Sequence, residues 1–110
     1  MREPSFTTCE AWMGQVERYL DGHGGEAMMR RHDVDRDAVL NVARVELDNV
    51  DAEGRSRLTH EQLARLVDEP RKTVARARLV LIDSGFEALE SDPRRAGHAT
   101  RVLQRQPSTA

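Results

Sequence analysis

Cysteine is nearly absent from this chain. Cys9 stands alone among 110 residues, which leaves no internal disulfide and no zinc site built on paired cysteines. A lone thiol suits a reducing compartment, so a cytoplasmic location is expected. Aromatic residues make up 4% of the sequence, so the core has to come from Leu, Val, Ala and Met. Long apolar runs are missing too. The longest, Leu79–Ile82, falls far short of the roughly 20 residues that span a bilayer. The opening MREPSF carries no apolar export segment, so neither a signal peptide nor a membrane partner is expected. One further absence is local. The chain is 33% charged, yet no acidic residue lies between Pro70 and Ile82.

The usual chemical motifs are also missing. His23, His32, His60 and His98 lack metal-ligand spacing. The run Asp33-Val34-Asp35-Arg36-Asp37 fails as a calcium loop, because Ala38 replaces its glycine and Arg44 stands where its last glutamate belongs. Gly22, Gly24 and Gly25 have no Lys-Ser/Thr partner and no preceding strand, so they read as a hinge and not as a phosphate loop. The Ser, His and Asp residues form no nucleophilic set. No metal, no cofactor and no enzymatic activity are expected.

What is present is a split of charge. Residues 1–53 hold 6 basic and 12 acidic side chains, a formal −6, whereas residues 54–110 hold 11 and 7, a formal +4. The total of −2 conceals this. Attraction to a polyanion depends on the local field at the contact face and not on the total.

Hydrophobic spacing predicts a mainly α (α+β) domain. A first helix spans Thr7–Leu20, with Thr7 and Glu10 as a capping box and Trp12, Met13, Val16, Tyr19 and Leu20 on one face. A short helical turn covers Glu26–Arg31. Asp35 caps a helix over Arg36–Asn49 whose inner face is Val39, Leu40, Ala43, Leu47 and Val50, and residues 51–56 form a turn. Thr59 and Gln62 box the next helix, which buries Leu63, Leu66 and Val67. After a break at Asp68-Glu69-Pro70, a helix over Arg71–Ser84 turns Val74, Ala77, Leu81 and Ser84 inward and Lys72, Ala75, Arg76 and Leu79 outward, stopping at Gly85. Strands over Phe86–Glu90 and Thr100–Arg105 flank a loop carrying Arg94, Arg95 and His98.

This order of elements, with Leu58-Thr59, Leu63-Ala64, Thr73, Val74, Arg76, Leu81 and Gly85-Phe86 at matching positions, resembles a winged helix-turn-helix domain with an extra N-terminal helix and a short C-terminal β-hairpin wing. The stretch from Val39 to Phe86 looks more particularly like the helix-turn-helix region of actinobacterial plasmid and phage replication initiators, in which the pattern of Thr73, Val74, Arg76, Ala77 and Arg78 opens the recognition helix. The turn departs from the common glycine, apolar, serine order. Asp68 can take the left-handed conformation there, and either acid could cap the next helix. The expected domains are an N-terminal helical extension over 1–34 for packing or dimerisation, the winged domain over 35–105, and a disordered tail over 106–110.

The resemblance implies binding to double-stranded DNA at an origin, or alternatively repression of transcription. A third reading is a protein-interaction module that touches no DNA. On the predicted outer face, Arg76 is the candidate for reading guanine, and Lys72 for base or phosphate. Arg71, Thr73 and Arg78 are candidates for phosphate, with Arg55, Arg57, Arg94 and Arg95 extending that grip. Ala75 permits close approach to a base or a thymine methyl. Neutralising about six phosphates gives log affinity a slope near −5 against log salt. A homodimer through the N-terminal helix would pair two recognition helices about one DNA turn apart.

Overall fold

A computed structural model describes residues 6–90 and 100–103, with side chains from residue 10 onward. Arg94, Arg95, His98 and the tail lie outside the described residues, as do the side chains of Thr7 and Cys9. The elements in chain order are α1 (Phe6–Leu20), α2 (His23–His32), α3 (Arg36–Asp48), β1 (Arg55–Ser56), α4 (His60–Val67), α5 (Arg71–Asp83), β2 (Glu87–Leu89) and β3 (Arg101–Leu103). The chain is therefore mainly helical with a small antiparallel sheet, in the order β1-β3-β2. Ser56 pairs with Arg101, and Leu89 pairs with the same residue from the other side. Among the described residues no helix is long and apolar enough to cross a membrane.

The core gathers along α1, α3 and α5. Trp12, Met13, Val16 and Leu20 of α1 pack with Val39, Val42 and Ala43 of α3, Leu63 of α4, and Val74, Ala77, Val80 and Leu81 of α5. Phe86, just after α5, closes this layer. Trp12 meets its ring edge to face at 6.3 Å and donates its indole N–H to the Phe86 carbonyl at 3.2 Å. Tyr19 packs on the same ring at 5.6 Å. The apolar face of α1 that was expected to serve either packing or a second copy is thus spent within the chain.

Four local expectations need correction. The glycine patch is not a hinge, because Gly24 and Gly25 lie inside α2, which starts three residues earlier than expected. A Cβ at Gly25 would come within 2.1 Å of the Tyr19 carbonyl oxygen, so glycine is what lets α2 fold back tightly on the end of α1. The buried face of α3 is rotated toward Ala38, Val42 and the carboxylate of Glu46, leaving Leu40, Leu47 and Val50 half-buried. Residues 55–56, expected in a turn, form the third strand. Leu66, expected inside, is 55% exposed.

Candidate nucleic-acid interface

The turn between α4 and α5 is built from local chemistry. Thr59 accepts from the Gln62 N–H at 3.1 Å while the Gln62 side chain accepts from the Thr59 N–H at 2.9 Å, so the start of α4 is fixed by a full capping box. The helix ends where Asp68 takes a left-handed conformation (φ 59°), as the acid was expected to allow. Neither Asp68 nor Glu69 caps α5. The N-cap position is Pro70, which fixes φ at −61° and has no side-chain acceptor to offer the first-turn N–H groups. With no acid in that turn, the positive end of the α5 dipole is uncompensated by any side chain of the helix.

Four outward positions of α5 lie along one stripe. Lys72 and Leu79 are exposed, Ala75 and Arg76 are partly so, and no carboxylate on the helix interrupts the stripe before Asp83. Among the described residues Lys72 has no acidic partner, while Arg71 is exposed and paired with Glu61 at 3.1 Å. Thr73 is half-buried at the flank. Arg76, its side chain 40% exposed, reaches the Asp33 carboxylate at 3.3 Å.

Two other expected contacts, Arg78 and Arg55, are not available. Arg78 does not face phosphate, because it is fully buried on the inner side of α5, one turn after Val74 and three residues before Leu81. Its guanidinium bonds Glu46 at 2.6 and 3.3 Å, the Leu58 carbonyl at 2.9 Å and the ring Nδ1 of His60 at 3.0 Å. Arg55 forms a two-pronged pair with Glu90 at 2.7 and 2.9 Å and a third bond to Glu53. Glu90 raises the Arg55 pKa further, and the two-pronged pair holds this cation at the sheet edge. Arg57 is largely exposed but lies 3.2 Å from Asp51.

Arg78 belongs to a buried polar network that the sequence reading missed, together with Glu46, Ser56, His60, Glu87 and Arg101. Burial works against the Glu46 charge, but a hydrogen bond from Glu87 and the Arg78 guanidinium outweigh it and hold the carboxyl below its usual range. Glu87 is pushed well above that range, by burial first, the Glu46 charge second and the hydrogen bond between the two carboxyls third. Arg101 lies 3.5 Å from the Glu87 carboxyl, and burial, then Arg78, lowers its pKa. Burial, then Arg78, lowers the His60 pKa to about 4, so at neutral pH its Nδ1 is an acceptor and Nε2 carries the proton. The network ties α3, α4 and α5 to the sheet from inside. Its trace in the sequence is two charged residues, Glu46 and Arg78, falling on apolar helix faces.

Comparison with protein-family models, with curated proteins and with solved structures finds no match to this chain. The functional reading therefore rests on the residues themselves.

Proposed function

We propose that this chain binds double-stranded DNA sequence-specifically as a winged helix-turn-helix domain, with α5 as the recognition helix. The observation that carries this is the outer stripe of α5. It presents Lys72, Ala75, Arg76 and Leu79 on a helix whose opposite face is locked into the core and whose amino end lacks a side-chain cap. Two cations four residues apart suit guanine edges in a major groove, and the small Ala75 suits close approach. The order helix, strand, helix, helix, strand, strand from α3 onward, with the first strand beside the last, supports the winged reading.

Burial of Arg78 and the pairing of Arg55 withdraw two of the expected phosphate contacts. About four remain, shared among Arg57, Arg71, Lys72 and the loop arginines, which lowers the expected salt slope to about −3.5. Selection of duplexes from a random pool, followed by anisotropy titration across salt, tests the reading. A defined motif and that slope are expected, with at least a hundredfold loss in a variant carrying Lys72→Glu and Arg76→Glu. Undiminished binding by that variant removes α5 from the interface.

The resemblance in the stretch from Thr73 to Arg78 favours origin binding in plasmid or phage replication, with transcriptional repression as the alternative setting. Part of that pattern is structural here, since Arg78 serves the core. A protein-docking module without DNA contact is the second reading, favoured by the exposure of Leu66 at 55% and Leu79 at 44%.

A further inference from the structure

The contact between Arg76 and Asp33 is unexpected for a surface meant to approach phosphate. A carboxylate beside such a helix repels the backbone of any duplex, whatever its sequence. The backbone that carries it is nonetheless fixed from several sides, while the carboxylate itself is 89% exposed. Asp33 ends α2 in a left-handed conformation (φ 56°, ψ 55°), its N–H bonded to the Arg30 carbonyl at 3.3 Å, and the next N–H, of Val34, returns to Met29 at 3.1 Å. One residue earlier, His32 reaches Asp83 of α5 at 2.8 Å with its side chain largely buried. The end of α2 is thus tied to α5 at two points, Arg76 and Asp83, two helical turns apart.

The atoms engaged matter more than the charge. Asp33 takes only Nη1 of Arg76, through a carboxylate oxygen at 3.3 Å and the backbone oxygen at 3.5 Å. Among the described residues Nε and Nη2 have no partner, which leaves two parallel donors unused on a side chain that is 40% exposed. That pair is the fork that reads the O6 and N7 of guanine. A long side chain held in one rotamer before binding loses less freedom on binding.

We infer that Asp33, at the end of α2, is a positioning residue that orients the Arg76 guanidinium for two-bonded recognition of one guanine. The inference rests on the DNA-binding reading above and adds α2, outside the helix-turn-helix itself, to the determinants of specificity.

The test uses the duplex enriched by the full chain and its single-base replacements, with dissociation constants measured for wild type, Asp33→Gly, Asp33→Asn, Arg76→Ala and the Asp33→Gly/Arg76→Ala pair. Glycine suits the left-handed position and removes the carboxylate, and asparagine keeps an oxygen at the same place without its charge. Arg76→Ala identifies the base pair whose preference depends on Arg76. At that pair, Asp33→Gly is expected to lower the preference about 3- to 10-fold, a size set by the freedom of one long side chain. Preferences elsewhere stay as they are, Asp33→Asn falls between, and the pair of substitutions adds nothing to Arg76→Ala. Affinity for random duplex stays level or rises.

Four results overturn the inference alone. The preference survives in both Asp33 variants, the loss is as large in the Arg76→Ala background, or every duplex is bound more tightly with preferences unchanged, which makes Asp33 a simple repellent. An Arg76→Ala chain with all wild-type preferences overturns it too and leaves DNA binding by other residues standing. A wild-type chain that enriches no duplex overturns the DNA reading and this inference together. Melting curves of each variant establish that the fold is kept, and if Asp33→Gly does not fold, the same comparisons are decided with Asp33→Asn.

Discussion

At the scale of single residues, the sharpest contrast lies between Arg76 and Arg78. They are two positions apart on one helix, so about 200° separates their side chains. One pairs at the surface and the other is wholly enclosed. An exposed pair such as Arg76 with Asp33 contributes at most about 1 kcal/mol to stability, so Arg76→Ala is expected to leave urea unfolding almost unchanged. Arg78→Ala strands the Glu46 carboxylate inside the fold, and a loss of roughly 3–5 kcal/mol is expected in the same measurement. Replacing Glu46 and Arg78 together with methionine should recover much of that loss, because the unpaired charge disappears with its partner. His60 gives the network a pH signature. Its pKa is lowered to about 4 in the folded chain, so between pH 6.5 and 4 the unfolded chain takes up a proton that the folded chain refuses. Stability therefore falls as pH drops through that window, by an amount on the order of 2 kcal/mol, and His60→Gln should flatten this part of the stability profile. Glu46, with its lowered pKa, adds a further loss at more acid pH, whereas Glu87 acts in the opposite sense, its contribution fading as pH rises above the usual carboxyl range. Of the candidate contacts, the sequence located Lys72 and Ala75 on the outer stripe, because helical spacing alone decides which face they occupy. It misassigned Arg78, because a buried arginine obeys the same periodicity as a leucine and is distinguished only by partners 18 to 32 residues away.

At the scale of elements, local chemistry was the legible part. The Asp35 cap, with its carboxylate accepting from the Ala38 N–H at 2.9 Å, and the Thr59–Gln62 box both stand where their side chains called for them. The boundaries of α4 and α5 follow, and so do the paired strands β2 and β3. What local pattern could not supply was contact between distant segments. β1 is two residues long and exists because β3 pairs with it, so nothing in residues 55–56 alone announces a strand. α2 was underestimated because two glycines lower intrinsic helix propensity, and only the close crossing on α1 makes Gly25 a requirement. Gly25→Ala accordingly tests the crossing. Alanine improves propensity, yet here a cost of more than about 1 kcal/mol in thermal unfolding is expected, since the new methyl meets backbone. A gain in stability would show that the corner relaxes freely.

At the scale of the whole molecule, the first two helices are not a detachable extension. Trp12, Met13, Val16 and Leu20 share one core with α3, α5 and Phe86, so a chain beginning at residue 35 exposes the apolar surface that α1 covers. Such a shortened chain is expected to lose cooperative unfolding, as read by circular dichroism on heating. Because the same face of α1 is spent inside, Trp12→Ala should lower the melting temperature without changing the sedimentation coefficient of the folded protein. A drop in assembled mass on that substitution would restore this helix as a contact between copies. The seating of α1 also gives the protein an optical property. Trp12 is the sole indole in the chain, shielded from water and resting on the residue from which β2 departs. Its emission colour and quenching therefore report, without any attached dye, whether strain applied at the hairpin by a bound ligand reaches Phe86 and the core beneath it.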